Sequence, residues 1–252
     1  MSNAFEHLGA APGGPTNAAE LVRSLGLGAA GVGGVRPRVV AAMIASADGR
    51  AAVDGRAGGL GSPADRAVLR ELRCCVDALL VGPTTLIEEK YSSLLDSEHR
   101  ERRVAGGLAP EPIAATISRR FEPRLAALEL FARPDQRIVV YTESPESIET
   151  RGATLTVERA ASGELTLAGC LEDLYSNHGV RTLLSEGGPT LLRALASEAL
   201  IDDFIFTLSP MLVAGSAPTI LSGERFEPPV GLELQNLWRS DSFLFLHYTR
   251  QA

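Results

Sequence analysis

Apolar positions fall in short blocks separated by glycine-rich or polar turns. Arg38–Ser46 reads RVVAAMIAS, a nearly unbroken apolar run of strand length, the pattern of a strand buried on both faces. Similar short runs recur at Asp77–Val81 (DALLV), Pro112–Ile117 (PIAATI), Arg137–Thr142 (RIVVYT), Ala153–Val157 and Arg181–Ser185. Between them the spacing becomes helical. Ser62-Pro63-Ala64-Asp65 reads as N-cap, first-turn proline and an acidic N3 residue, a weak capping box, and the helix continues through Val68, Leu69 and Leu72 to about Cys74. Ser92–Gly107 contains SEHRERR, read as a solvated helix face, and Leu167–Asn177 forms a further helix. Beyond the helix near 196 the period drops to two. Phe204, Phe206 and Leu208 alternate with Ile205 and Thr207, and Leu232–Trp238 and Ser242–Thr249 read as an antiparallel pair turning near Ser240-Asp241.

Alternating strands and helices over 38–196 predict an α/β fold with a mostly parallel central sheet, helices on both faces and antiparallel C-terminal edge strands. The absence of an internal repeat or linker favours one main domain, 36–252, behind an N-terminal arm, 1–35, in which Ala18–Leu25 can form a short helix.

The turns carry the candidate chemistry. Leu183–Ala194 reads LLSEGGPTLLRA: a strand end, a carboxylate at Glu186, a tight turn at Gly187-Gly188 and a helix opened by Pro189. Free N–H groups at such a helix start favour phosphate. An ordinary strand-to-helix turn with an exposed Glu explains the local pattern equally well. Ser46–Gly61 is too long and glycine-rich for a simple connection, which suits a functional loop. In a parallel sheet this loop, Gly82–Thr85, Ser118 and the Glu186–Thr190 turn would gather beyond the strands' carboxyl ends, as a nucleotide cofactor requires. Gly26, Gly28 and Gly31 match G-x-G-x-x-G, but a helical segment precedes them and more glycine follows, the wrong context for a dinucleotide fingerprint.

Composition removes other classes. The net charge of −7, with Lys90 as the only lysine, leaves no extended basic face for nucleic acid. No apolar run approaches membrane-spanning length and no secretory leader is evident, so a cytoplasmic protein without a membrane partner is expected. Cys74, Cys75 and Cys170 are too few and badly spaced for a zinc site or disulfide framework. There is no G-x-S-x-G, Walker loop or H-E-x-x-H. His99-Arg100-Glu101 matches H-x-E of a zinc deaminase, but no P-C-x-x-C follows, so no metal is expected. His7, His178 and His247 stand isolated and read as surface or structural residues.

Two stretches carry a family resemblance: RPRVVAAMIASADGRAAVDGRAGGLGSPADRAVLRELRCCVDALLVGPTTL and, far downstream, LLSEGGPTLLRALASEALIDDFIFTLSPMLVAG. Together they resemble the reductase domain of the riboflavin-biosynthesis deaminase-reductase family, over roughly 36–249. The resemblance implies a dihydrofolate-reductase-like fold and a stand-alone pyrimidine reductase, since only the short arm precedes it. It also implies NADPH, a ribosylamino-pyrimidine phosphate as small-molecule substrate, hydride transfer to the ring-opened ribose as in the 5-amino-6-(5-phosphoribosylamino)uracil reductases, and a homodimer. By the same resemblance Thr85, Glu89, Ser118 and Gly187, Gly188, Pro189, Thr190 and Leu191 contact the cofactor. Arg73 and Glu186 bind substrate, and Glu186 and Asp48 are the catalytic candidates; Asp48 is equally well read as fixing its own S-x-D-G turn. Arg119 and Arg120 beside Ser118 suit a 2′-phosphate.

The match is uneven. A lysine common in the family's first strand is Ala42 here, a loop serine is Ala57, and a second substrate arginine falls near Asp96. These departures keep two alternatives open: reduction of a pterin- or dihydrofolate-like ring, and a non-catalytic NADPH-binding dimer.

Overall fold

The computed structural model describes residues 4–8, 17–27 and 34–251. In chain order the elements begin with β1 (Glu6–His7), α1 (Ala18–Ser24), β2 (Arg38–Ser46), α2 (Pro63–Cys75), β3 (Ala78–Leu80), α3 (Pro83–Glu88) and α4 (Ser97–Ala105). They continue with β4 (Ile113–Ile117), β5 (Arg137–Thr142), β6 (Thr154–Arg159), α5 (Leu167–Ser176), β7 (Thr182–Ser185) and α6 (Pro189–Ser197). The chain closes with β8 (Asp203–Ser209), β9 (Leu232–Ser240) and β10 (Phe243–Arg250). Two short 3-10 turns, Pro123–Ala127 and Glu129–Ala132, connect β4 to β5. Each strand expected from the apolar runs forms within a few residues of its expected limits. Gly28 and Gly31 of the glycine pattern lie outside the described residues.

The chain divides into two compact units interleaved in sequence: Met1–Gly28, Val39–Leu72 and Glu186–Ala252 form the first, and Ala29–Arg38 and Arg73–Ser185 the second. In the first, β2 runs parallel to β8, and β10, β9 and β1 follow antiparallel. Short β1 belongs to the expected N-terminal arm. Phe5 beside it is buried and meets the Phe245 ring edge-on at 5.1 Å. In the second, β7, β3, β4, β5 and β6 are parallel neighbours in that order. Ala78, Leu79 and Leu80, with Leu183 and Leu184, have almost no exposure, as two-sided burial in a parallel sheet requires.

Two aspartates finish the ladders at the strands' amino ends. Asp77 Oδ2 accepts the Arg181 and Thr182 N–H groups at 2.8 and 2.9 Å, and Asp202 Oδ2 accepts Val39 N–H at 2.7 Å. Each precedes a strand and takes a donor left over where its neighbour begins.

The charged SEHRERR helix is not simply a solvated face. Arg103 is buried, and its guanidinium donates to the Ala109, Arg73, Cys74 and Val76 carbonyls at 2.6 to 3.1 Å. Two of these carbonyls belong to the last turn of α2, so a buried cation caps that end. Desolvation pushes the Arg103 pKa down. Arg100 likewise turns inward to buried Glu111 at 2.8 Å. His247 is not isolated either: its Nε2 lies 2.8 Å from Asp203 Oδ1, both residues buried between β10 and β8.

Candidate active site

The residues singled out in the sequence divide between the two units. Asp48 and Glu186–Leu191 belong to the first; Arg73, Thr85, Glu89 and Ser118 belong to the second.

In the first unit the organising feature is the turn after β7. Glu186 is 9% exposed, so its carboxylate is largely withdrawn from water. Gly187 has φ +80°, and the Gly187–Gly188 peptide is cis. A Cβ on Gly187 would stand 3.0 Å from Met43 Sδ on β2, so glycine is needed for backbone conformation and close approach alike. Gly188 is the N-cap of α6 and Pro189 its first residue, and no side chain caps the helix start. The Thr190 and Leu191 N–H groups therefore point from a nine-residue helix without a side-chain acceptor, the donor set that suits an oxyanion. Leu192 and Leu195 anchor the helix in the core, whereas Leu191 is only half-buried.

Asp48, just past β2, accepts the Ser46 hydroxyl at 2.5 Å and the Val213 and Ala214 N–H groups at 3.1 and 2.7 Å. These donors hold its pKa down at about 2, with Ser46 the largest cause. The carboxylate ties its loop to residues 213–214 and stays ionised through the neutral range.

In the second unit, Arg73 closes α2. Its Nη1 donates to the Leu94 carbonyl at 3.1 Å, and its guanidinium lies 5.4 Å from the Tyr91 ring centroid. Thr85 lies within α3 and Glu89 is its C-cap, the Glu89 N–H donating to the Thr85 carbonyl at 3.0 Å. Ser118 is buried beyond β4, its hydroxyl donating to the Arg120 carbonyl at 2.5 Å, while Arg119 and Arg120 are exposed. Asp96, where the resemblance would place an arginine, is the N-cap of α4 and accepts His99 N–H at 3.0 Å.

The sequence reads Asp65 only as the acidic N3 residue of a weak capping box. Ser62 does cap α2, accepting Asp65 N–H at 3.1 Å. Burial raises the pKa of the Asp65 carboxyl, and the Thr207 hydroxyl of β8 acts in the opposite direction. Helical position predicts the cap, but nothing local predicts the influence of Thr207, 142 residues away (207 − 65).

Among the described residues, Glu158, Asp173 and His178 of the second unit bring ligand atoms close enough together for an ion. Asp173 already accepts from Tyr141 Oη at 2.6 Å and Asn177 Nδ2 at 2.7 Å, so its oxygens are engaged within the protein.

With this geometry in view, comparison with known proteins is decisive. The family pattern described as the RibD C-terminal domain matches residues 37–245. The chain belongs to the RibD C-terminal domain family. A relative from Archaeoglobus fulgidus named 2,5-diamino-6-ribosylamino-4(3H)-pyrimidinone 5′-phosphate reductase is 30% identical over 197 residues, spanning 76% of this chain and 89% of its own. A protein of the same name from Methanothermobacter thermautotrophicus is 25% identical over 221 residues, spanning 85% and 99%. A solved pyrimidine reductase-like protein from Corynebacterium diphtheriae superposes with a TM-score of 0.72 at 22% identity, covering 86% of this chain and 92% of that one. The RibD C-terminal fold is thus shared, and this family member is an oxidoreductase, as both archaeal relatives are named as pyrimidinone 5′-phosphate reductases.

Proposed function

We propose that this RibD C-terminal domain protein is an NADPH-dependent reductase of a ribosylamino-pyrimidine phosphate. The observation that carries the proposal is the Glu186–Leu191 turn, in which a largely buried carboxylate adjoins an uncapped helix start. NADPH, when bound, supplies a hydride to C1′ of the ring-opened ribose, the adjacent nitrogen gaining a proton to leave a ribityl chain.

The protein's own share is orientation and proton handling. The Thr190 and Leu191 N–H groups hold pyrophosphate, Gly187 and Gly188 let the backbone approach it, and Pro189 starts the helix without a wasted donor. Thr85, Glu89 and Ser118 make further cofactor contacts, and exposed Arg119 and Arg120 pair with the 2′-phosphate, which favours NADPH over NADH. Arg73 meets the substrate phosphate. Glu186 anchors substrate and passes the proton. Asp48, ionised and held by three donors, sets the loop rather than donating a proton. The protein works as a cytoplasmic homodimer.

Titration calorimetry of the folded protein with NADPH and NADH tests the reading. NADPH binding, tighter than that of NADH, is expected; absence of binding by both overturns it.

A further inference from the structure

The second unit gathers a side-chain cluster that the proposed reduction does not use. Tyr141 on β5 stands opposite Glu158 on β6 in the parallel ladder, so both project from one face of the sheet. α5 packs on that face, where Asp173 Oδ2 accepts the Tyr141 hydroxyl at 2.6 Å. Past the end of the helix, Val180 N–H donates to the Leu174 carbonyl at 2.9 Å, and Gly179 just before it takes φ +72°. That left-handed residue ends the helix and turns the chain back. His178 is thereby held beside Asp173, its Nε2 3.3 Å from Asp173 Oδ2. Ligand atoms of Glu158, Asp173 and His178 all lie within 4.8 Å of one another.

The imidazole points to a missing partner. The His178 side chain is 9% exposed, and its Nε2 is buried without a hydrogen bond. At 3.3 Å a hydrogen bond to Asp173 would form if the ring were aimed at the oxygen, so the nitrogen is aimed beside it. A buried polar atom in that state is unfavourable unless something completes it. A shared cation does so. Two ligands about 2.0–2.1 Å from a tetrahedral zinc stand about 3.3 Å apart. That matches the spacing of His178 Nε2 and Asp173 Oδ2. Asp173 keeps room for the ion. Tyr141 takes one acceptor position on Oδ2 and Asn177 one on Oδ1, and a carboxylate has about four. These two donors also fix the carboxylate's orientation, as outer partners do around metal ligands. Glu158 adds a second negative charge, and the Asp173 side chain, 22% exposed, leaves a path to solvent. One imidazole with two carboxylates suits a borderline divalent cation rather than magnesium or calcium, which favour oxygen ligands.

We infer that Glu158, Asp173 and His178 form a binding site for a zinc-type divalent cation, with the fourth coordination position left to water. The ion ties β6, the outermost strand of the second unit, to the turn that ends α5. Binding there does not depend on reductase activity.

Titration calorimetry of the folded, metal-stripped chain with Zn²⁺ alone tests the site. One Zn²⁺ per chain is expected to bind and to raise the melting temperature, and Mg²⁺ is expected not to displace it. Glu158→Gln, which keeps the side chain's shape and removes its charge, and His178→Ala are each expected to weaken binding about tenfold or more. If His178→Ala does not fold, Glu158→Gln carries the comparison by itself. Cys75→Ser, which removes the exposed thiol, is expected to leave the affinity in place. Failure of the folded wild-type protein to bind Zn²⁺ overturns the inference. So does binding that folded Glu158→Gln retains in full, that Mg²⁺ matches, or that Cys75→Ser abolishes.

Discussion

Gly187 shows how much one residue can hold. Its φ of +80° and the 3.0 Å between a built Cβ and Met43 Sδ mean that Gly187→Ala brings backbone strain and overpacking together. A stability loss of about 2–4 kcal/mol is expected in urea melts, with NADPH affinity falling as the turn shifts. Asp48 gives a pH signature. Its pKa is lowered from 3.8 to about 2 in the folded protein, so its contribution is present above the unfolded value and lost as pH falls toward the folded one. Thermal melts should show Asp48→Asn less stable than wild type above about pH 4, with the gap closing towards pH 2. At Arg119 and Arg120 the expectation concerns ligand alone. Both are exposed, so replacing both with alanine should leave the melting temperature in place while weakening NADPH about tenfold or more and NADH little, as read by calorimetry.

At the scale of elements, Arg103 ties α4 to the end of α2. Arg103→Met would take this donor from the carbonyls of Arg73, Cys74, Val76 and Ala109, with the Cys74 and Val76 bonds buried, for an expected loss of about 3 kcal/mol in denaturant titration. Arg103→Lys should recover little, because a single ammonium cannot reproduce the guanidinium fork. The same helix marks where the sequence stops being legible. Strands such as Arg38–Ser46 and Arg137–Thr142 form over the stretches their apolar runs delimit, because two-sided burial leaves a continuous local signal. The Ser62 cap and the Gly188-Pro189 start of α6 are equally local. Arg103 and the His247–Asp203 pair are not. In each, a charged or polar side chain looks solvent-directed from its neighbours, and its partner comes from a distant element. The candidate site divides the same way: its turns are readable, its side-chain partnerships are not.

At the scale of the whole molecule, the two compact units are interleaved along the chain. The family match extends over 37–245 and so takes in both of them. The homodimer expected for this reductase is checked by sedimentation equilibrium, which should give twice the 26.6 kDa chain mass. The central claim is that a hydride passes from NADPH to the sugar carbon, and it is tested most directly by isotope transfer. The protein would be incubated with NADPH deuterated at the transferring position of the nicotinamide and with a 2,5-diamino-6-ribosylamino-4(3H)-pyrimidinone phosphate, and the product read by mass spectrometry and NMR. One deuterium at C1′ of a ribityl chain is the predicted result; deuterium in the pyrimidine ring, or NADPH left unoxidised by the folded protein, would contradict it.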